Sequence, residues 1–194
     1  DFNDPTMWWV DTYNSGTTAT QAPNSTNSVF FTAAAFTVPN VTINVNANAS
    51  CDSLVWDNAI SAANTPILSG NSGVSLGIYG SFALSDNLDF QYQGMLRFRS
   101  QRNGIETIDP RGKMLRVLKF DIDGSANTEF QLLSKLHVDD VNNSLGNILP
   151  SQGGFIELLS GTFNTNGQDV STDFFHSDNN NVNRGLIMTN STIE

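Results

Sequence analysis

The 194-residue sequence predicts an all-β chain wound as a β-solenoid, and three observations predict it. Short runs rich in Val, Ile, Phe and Leu recur throughout, separated by Asn, Gly, Asp and Ser rather than by helical spacers. No window repeats apolar residues at intervals of three and four over three turns, as an amphipathic helix requires. A weak internal rhythm also returns: apolar run, Ser or Gly, apolar run, Asn-Gly or Asp-Asn. It reads SLGIYGSFALSDN from position 75, FIELLSGTFNTNG from 155 and, more loosely, EFQLLSKLHVDDVNN from 129.

In chain order, strands are expected at 29–31, 41–45, 53–56, 75–84, 88–100, 104–108, 117–122, 128–138, 155–165, 170–175 and 185–194. The first is VFF; the second, VTINV, alternates β-branched residues with a polar one. Within 88–100, Leu96 and Phe98 oppose Arg97 and Arg99. Within 117–122, Leu118, Phe120 and Ile122 oppose Lys119 and Asp121. Such alternation marks strands with one buried and one wet face. The small residue inside each rhythmic unit serves as a corner between two walls of a coil. At roughly 20–25 residues per coil, about eight coils fit. The expected architecture is a right-handed parallel β-helix, with residues 1–28 as an N-terminal cap and 29–194 as coils that continue beyond this chain. A β-sandwich, built from similar short strands, is the alternative.

Composition excludes several classes. The net charge is −10, yet only 14% of residues are charged, and 24 are Asn. Asn and Gly accept positive φ, while Ser and Thr bond to nearby backbone, so the mixture favours turns. Positions 1–96 hold no Lys or Arg, and seven of the nine basic residues fall between Arg97 and Lys119. An acidic molecule repels polyanions, so no nucleic-acid partner is expected. The single cysteine, Cys51, excludes an internal disulfide framework. No apolar run approaches the roughly 20 residues of a membrane span, so no transmembrane segment is expected.

The candidate sites are sparse. His137 and His176 have acids nearby but no nucleophile on a recognisable elbow, so no catalytic relay is expected. Asp139-Asp140 resembles the paired carboxylates of β-helical polygalacturonases. The other signatures of those enzymes are missing, and VNNS follows, which reads as a solvated turn. In DIDGSANTE, Asp121, Asp123 and Glu129 offer oxygens to a calcium ion; Gly124 comes too early for an EF-hand, and a turn between strands is the competing reading. Five N-x-S/T sequons, at Asn24, Asn40, Asn48, Asn142 and Asn190, are near chance in so Asn-rich a chain. Trp8 and Trp9 offer faces on which a sugar ring stacks, or a plug for the solenoid's open end.

Taken in order, MWWV (7–10), VFFTAAAF (29–36), TINVNANASCDSLVW (42–56), IYGSFAL (78–84) and GTFNTNGQDV (161–170) resemble segments of a large group of secreted, repeat-rich surface proteins of Bacteroidetes. DTYNSGTTATQAP, at 11–23, departs from that group's Gly-rich turns and second Trp. The resemblance implies a β-helical, adhesin-type region of an exported protein, on the outer cell surface, that uses the type IX secretion machinery through a sorting domain outside this chain. It implies core roles for Cys51, Leu54 and Trp56, and turn roles for Gly161, Asn164, Asn166 and Gly167. Asp52-Ser53-Leu54 resembles the O-glycosylation signal of Bacteroidetes, which makes Ser53 a candidate site. The expected function is non-catalytic adhesion to extracellular surfaces or polysaccharides, without a cofactor unless calcium binds. The alternatives are a carbohydrate-active enzyme using Asp139 and Asp140 and a lectin-like sandwich.

Overall fold

A computed structural model describes residues 1–10, 17–122, 127–139, 154–177 and 183–194. The chain is a β-solenoid whose coils each lay one short strand on each of three walls. The first coil comprises β1 (Val29–Phe31), β2 (Thr42–Val45) and β3 (Ala49–Cys51), and the second β4 (Leu54–Trp56), β5 (Ile67–Gly70) and β6 (Ser75–Ile78). The third follows with β7 (Phe82–Ala83), β8 (Asp89–Tyr92) and β9 (Met95–Phe98), the fourth with β10 (Gly104–Asp109), β11 (Met114–Leu115) and β12 (Val117–Phe120). The fifth has β13 (Thr128–Leu132), β14 (Leu136–Val138) and β15 (Phe155–Leu158), and the sixth β16 (Gly161–Asn164), β17 (Val170–Thr172) and β18 (Phe174–His176). A seventh turn begins with β19 (Arg184–Ile187).

Among the described residues each strand pairs in parallel with a strand three places away in the chain, the one break in the series falling between β8 and β11. The first wall is a seven-stranded sheet, β1-β4-β7-β10-β13-β16-β19, and another is six-stranded, from β3 to β18. The remaining wall splits into two three-stranded sheets, β2-β5-β8 and β11-β14-β17. Paired positions are 25 residues apart from Val29 to Leu54, then 28 to Phe82, 26 to Ile108 and 24 to Leu132. They are 33 apart from Phe130 to Phe163 and 23 from there to Leu186. Three of these six spacings exceed the expected period, and six complete coils form among the described residues where about eight were expected. The expected strands at 75–84, 88–100, 128–138 and 155–165 each divide into two at a corner. The third unit of the rhythm, EFQLLSKLHVDDVNN, turns between a different pair of walls from the other two.

The walls are stable because alternation within each strand is in phase with its neighbours. On the six-stranded wall, Leu76, Leu96, Leu118 and Ile156 form one inward column, and Cys51, Ile78, Phe98, Phe120 and Leu158 another. On the seven-stranded wall, Val29, Leu54, Phe82, Ile108 and Leu132 align, as do Phe130 and Phe163. All these side chains are buried. Rings from the two walls meet along the axis: Phe120 lies 5.2 Å from Phe98, 5.5 Å from Phe130 and 4.9 Å from Phe163 between centroids. At the N-terminal end, Phe31 and Trp56 stack at 4.0 Å. Phe2 is wholly buried and its N–H donates to Asn44 O, so residues at the start of the chain close this end.

Two corners show why particular residues are needed. Gly161 has φ +78°, and a Cβ there would overlap the Ile122 side chain, so the tight passage from β15 to β16 requires glycine. Asn166 and Gly167 both have positive φ, as do Arg111 and Gly112 two coils earlier. These are turns of the type that suits Asn-Gly. Arginine tolerates the strain because its Nε donates to Asp109 Oδ2 at 2.7 Å and its N–H to Ser134 Oγ at 3.0 Å. Asn164, expected in a turn, ends β16 instead; its Oδ1 accepts the Asn166 N–H and so starts the turn.

Replacing Phe120 with Ala removes the ring at the centre of the aromatic stack. It is expected to lower stability by about 3–5 kcal/mol, measured as a shift in the urea midpoint with an unchanged slope.

Candidate functional site

The outer surface of the seven-stranded wall carries a ladder of polar side chains. Thr107, Gln131 and Asn164 occupy one outward column in direct register, which Ile187 completes. Extending the register by one residue from Phe82 and Leu54 adds Ser81, Ser53 and Ser28. The ladder is hydrogen-bonded across coils: the Ser81 N–H donates to Ser53 Oγ, and the Thr107 N–H to Ser81 Oγ. Beside it, Glu129 accepts from Asn164 Nδ2 at 2.6 Å, and Thr162 follows Glu129 in the next column. Two exposed apolar residues, Phe30 and Ile105, sit on the same wall. Strand spacing fixes successive rungs about 4.8 Å apart.

The basic cluster at 97–119 serves as a set of ties between coils. Arg97 pairs with Asp121, one coil on, and Lys119 with Glu157 at 2.8 Å. Arg111 binds Asp109. Arg102 bonds both Glu106 at 2.8 Å and Asp52 at 3.0 Å, reaching back across the corner at Tyr79-Gly80. A Cβ on Gly80 would collide with Arg102 Nη2 and Ser53 Oγ, so glycine clears the path. Asparagines tie the coils as well: Asn64 Nδ2 donates to Phe36 O, Asn87 Nδ2 to Ile60 O and Asn166 Nδ2 to Leu132 O. Each target lies one coil back. These three asparagines thus contribute side-chain donors in addition to their turn propensity.

The residues singled out from the sequence lie far apart in role. Trp8 packs on Phe2 at 5.1 Å and on Phe31 at 5.5 Å, and its Nε1 donates to Phe2 O. It is part of the lid, whereas Trp9 is 37% exposed at the rim and bridges to Thr18. Asp121 is held by Arg97, with Arg99 Nε at 3.9 Å, and Glu129 is on the other large wall bonded to Asn164. Asp123 lies outside the described residues. No group of three or more His, Cys, Asp or Glu side chains that could hold a metal occurs among the described residues. Ser53 Oγ sits in the polar ladder, accepting the Ser81 N–H. Asp139 follows β14, half-exposed, with its carboxylate 3.6 Å from His137 Nε2; Asp140 lies outside the described residues. His176 Nδ1 is 3.9 Å from Glu157.

Cys51 is fully buried, and burial pushes its thiol from 9.0 up to about 12. Burial raises the Tyr92 phenol in the same direction. The folded chain therefore holds these protons more tightly than the unfolded chain. Below pH 9.0 the thiol is protonated in both states and its contribution is intact; above it the unfolded state ionises first, and stability falls toward pH 12. Urea midpoints measured between about pH 8 and 10 are expected to decline, and Cys51→Val should flatten the decline. No family model, curated protein or solved structure matches this chain.

Proposed function

We propose that this chain is a non-catalytic structural and adhesive module of an exported cell-surface protein, and that it binds polysaccharides through the outer face of its seven-stranded wall. The observation that carries this reading is the in-register ladder Ser53, Ser81, Thr107, Gln131 and Asn164, which presents donors and acceptors at a fixed repeat along the solenoid axis. A polymer of sugars has its own repeat of hydroxyls and engages many rungs at once. Each rung contributes little alone, since a hydrogen bond exchanged against water is worth about 1 kcal/mol, but linked contacts multiply through high effective concentration. Phe30 and Ile105 add apolar surface against which ring faces rest. Export and the outer-surface location rest on the resemblance of the sequence segments to secreted proteins of Bacteroidetes.

The test is co-sedimentation with insoluble cellulose, chitin and xylan, alongside a reducing-sugar assay. Gln131→Ala is expected to weaken retention by about fivefold, the equivalent of one hydrogen bond, with a small change in thermal midpoint. Asp139→Asn with Asp140→Asn should leave retention unchanged. Release of reducing sugar by the unsubstituted chain, abolished in that double variant, would overturn the non-catalytic reading.

A further inference from the structure

Hydrogen bonding divides the ladder of the seven-stranded wall into closed and open rungs. The first rungs have already given their protons away: Ser28 Oγ donates to Asp52 Oδ2 at 3.0 Å and Ser81 Oγ to Glu106 Oε2 at 2.8 Å, while Ser53 Oγ lies 3.5 Å from the same Asp52 oxygen. Ser53 and Ser81 each accept a backbone N–H as well, so these hydroxyls keep a lone pair to offer but no proton. Asn164 is engaged through Glu129 on its amide nitrogen and the Asn166 N–H on its oxygen. The Thr107 hydroxyl and the Gln131 amide have no hydrogen-bond partner among the described residues. This open pair is flanked by carbon. Ile105 stands two residues before Thr107 on the outward face of β10, and Leu133 two residues beyond Gln131, where its N–H donates to Ile108 O and prolongs the register of β13. They are 60% and 47% exposed. Outward neighbours along a strand lie about 6.7 Å apart, so the four side chains form a diagonal whose apolar ends bracket a polar centre.

Charge adds a second condition. Four carboxylates border the column, those of Asp52, Glu106, Asp109 and Glu129; Arg102 pairs with the first two and Arg111 with the third. Glu129, in register with Ile105, makes no ion pair among the described residues. An anionic group, which only accepts hydrogen bonds, finds no proton at Ser28 or Ser81 and meets Glu129 beside the open rungs. A sugar hydroxyl, by contrast, gives its proton to an acceptor rung and takes one from Thr107 or Gln131, and the C–H faces of its ring cover Ile105 and Leu133. Building on the polysaccharide-binding reading above, we propose that this wall selects uncharged, hydroxyl-rich glycans over polyuronates and sulfated glycans, and that Ile105, Thr107, Gln131 and Leu133 make the contact that sets affinity. The serine rungs nearer the N-terminal end then guide the polymer as acceptors alone.

The test compares retention of the full chain on cellulose and on cellulose whose C6 hydroxyls are oxidised to carboxylates, a pair that shares ring and linkage and differs in charge. Chitin and xylan serve as further neutral polymers, and immobilised alginate and heparin as further anionic ones. Retention on the anionic polymers is expected to be at least about tenfold weaker at low salt, a gap that narrows as added salt screens the carboxylates. Ile105→Ser, Leu133→Ser and Thr107→Val should each weaken retention on the neutral polymer about fivefold with little change in thermal midpoint. Val38→Ser, at a comparably exposed position between β1 and β2, should leave it unchanged. Retention on oxidised cellulose, alginate or heparin as strong as on the neutral polymers, or stronger, overturns the selectivity. Retention on a neutral polymer that Ile105→Ser and Leu133→Ser do not weaken overturns the contact and leaves polysaccharide binding standing, whereas retention on no polymer overturns both.

Discussion

Pairing of each strand with the strand three places along, in parallel and in register, is the constraint on which the rest of this molecule depends. It turns an alternation that is local to each strand into continuous columns. A slip of one residue would carry Arg97 and Lys119 to the positions of Leu96 and Leu118 and send the leucines into water. The apolar columns therefore do more than exclude solvent, since they also fix the order in which every outward side chain appears. The polar ladder on the seven-stranded wall, and any partner it recognises, inherits its spacing from Phe82, Ile108 and Leu132 beneath it.

The energetic division of labour follows from burial. Phenylalanines at 82, 98, 120, 130 and 163 are inaccessible to water and edge against one another along the axis. Aromatic pairs of this kind add about 0.5–1.5 kcal/mol each beyond the area they bury. The ion pairs between coils lie in partly exposed positions, where such a pair contributes at most about 1 kcal/mol. Their value lies in direction: Lys119 meets Glu157 only if coils four and five are aligned. Asn87 and Asn166, whose amides reach carbonyls one coil back, act in the same way without charge.

Much of the fold was legible in the sequence because alternation is a local signal. Leu96 and Phe98 against Arg97 and Arg99 revealed a wall, and Gly161 and Asn166-Gly167 revealed corners. The strands that escaped were β3, β5 and β11, which are ASC, ILSG and ML. Two to four residues long, they carry too little periodicity of their own and are held by their position between paired neighbours. Two of them, β5 and β11, lie on the third wall and β3 on the six-stranded one; the coil count came out high because the assumed period was shorter than several of the actual spacings. Arg111 escaped as a turn residue because its positive φ depends on Asp109 and on Ser134 from the next coil, a long-range condition. The candidate sites were less legible for the same reason: neighbours in sequence such as Asp121 and Glu129 come to lie on different walls, whereas Ser53, Ser81 and Thr107 meet only because the coils stack.

Gly80 and Arg102 give the N-terminal coils a property that nearest-neighbour stacking alone does not supply. A solenoid held only by contacts between adjacent coils frays from its end, one layer at a time. Arg102 passes over the corner at Gly80 and grips Asp52, which lies between the first coil and the second. Peeling the first coil away therefore disturbs a residue anchored two corners further along. The early coils are thus linked beyond nearest neighbours, by a contact that passes only because position 80 carries no side chain.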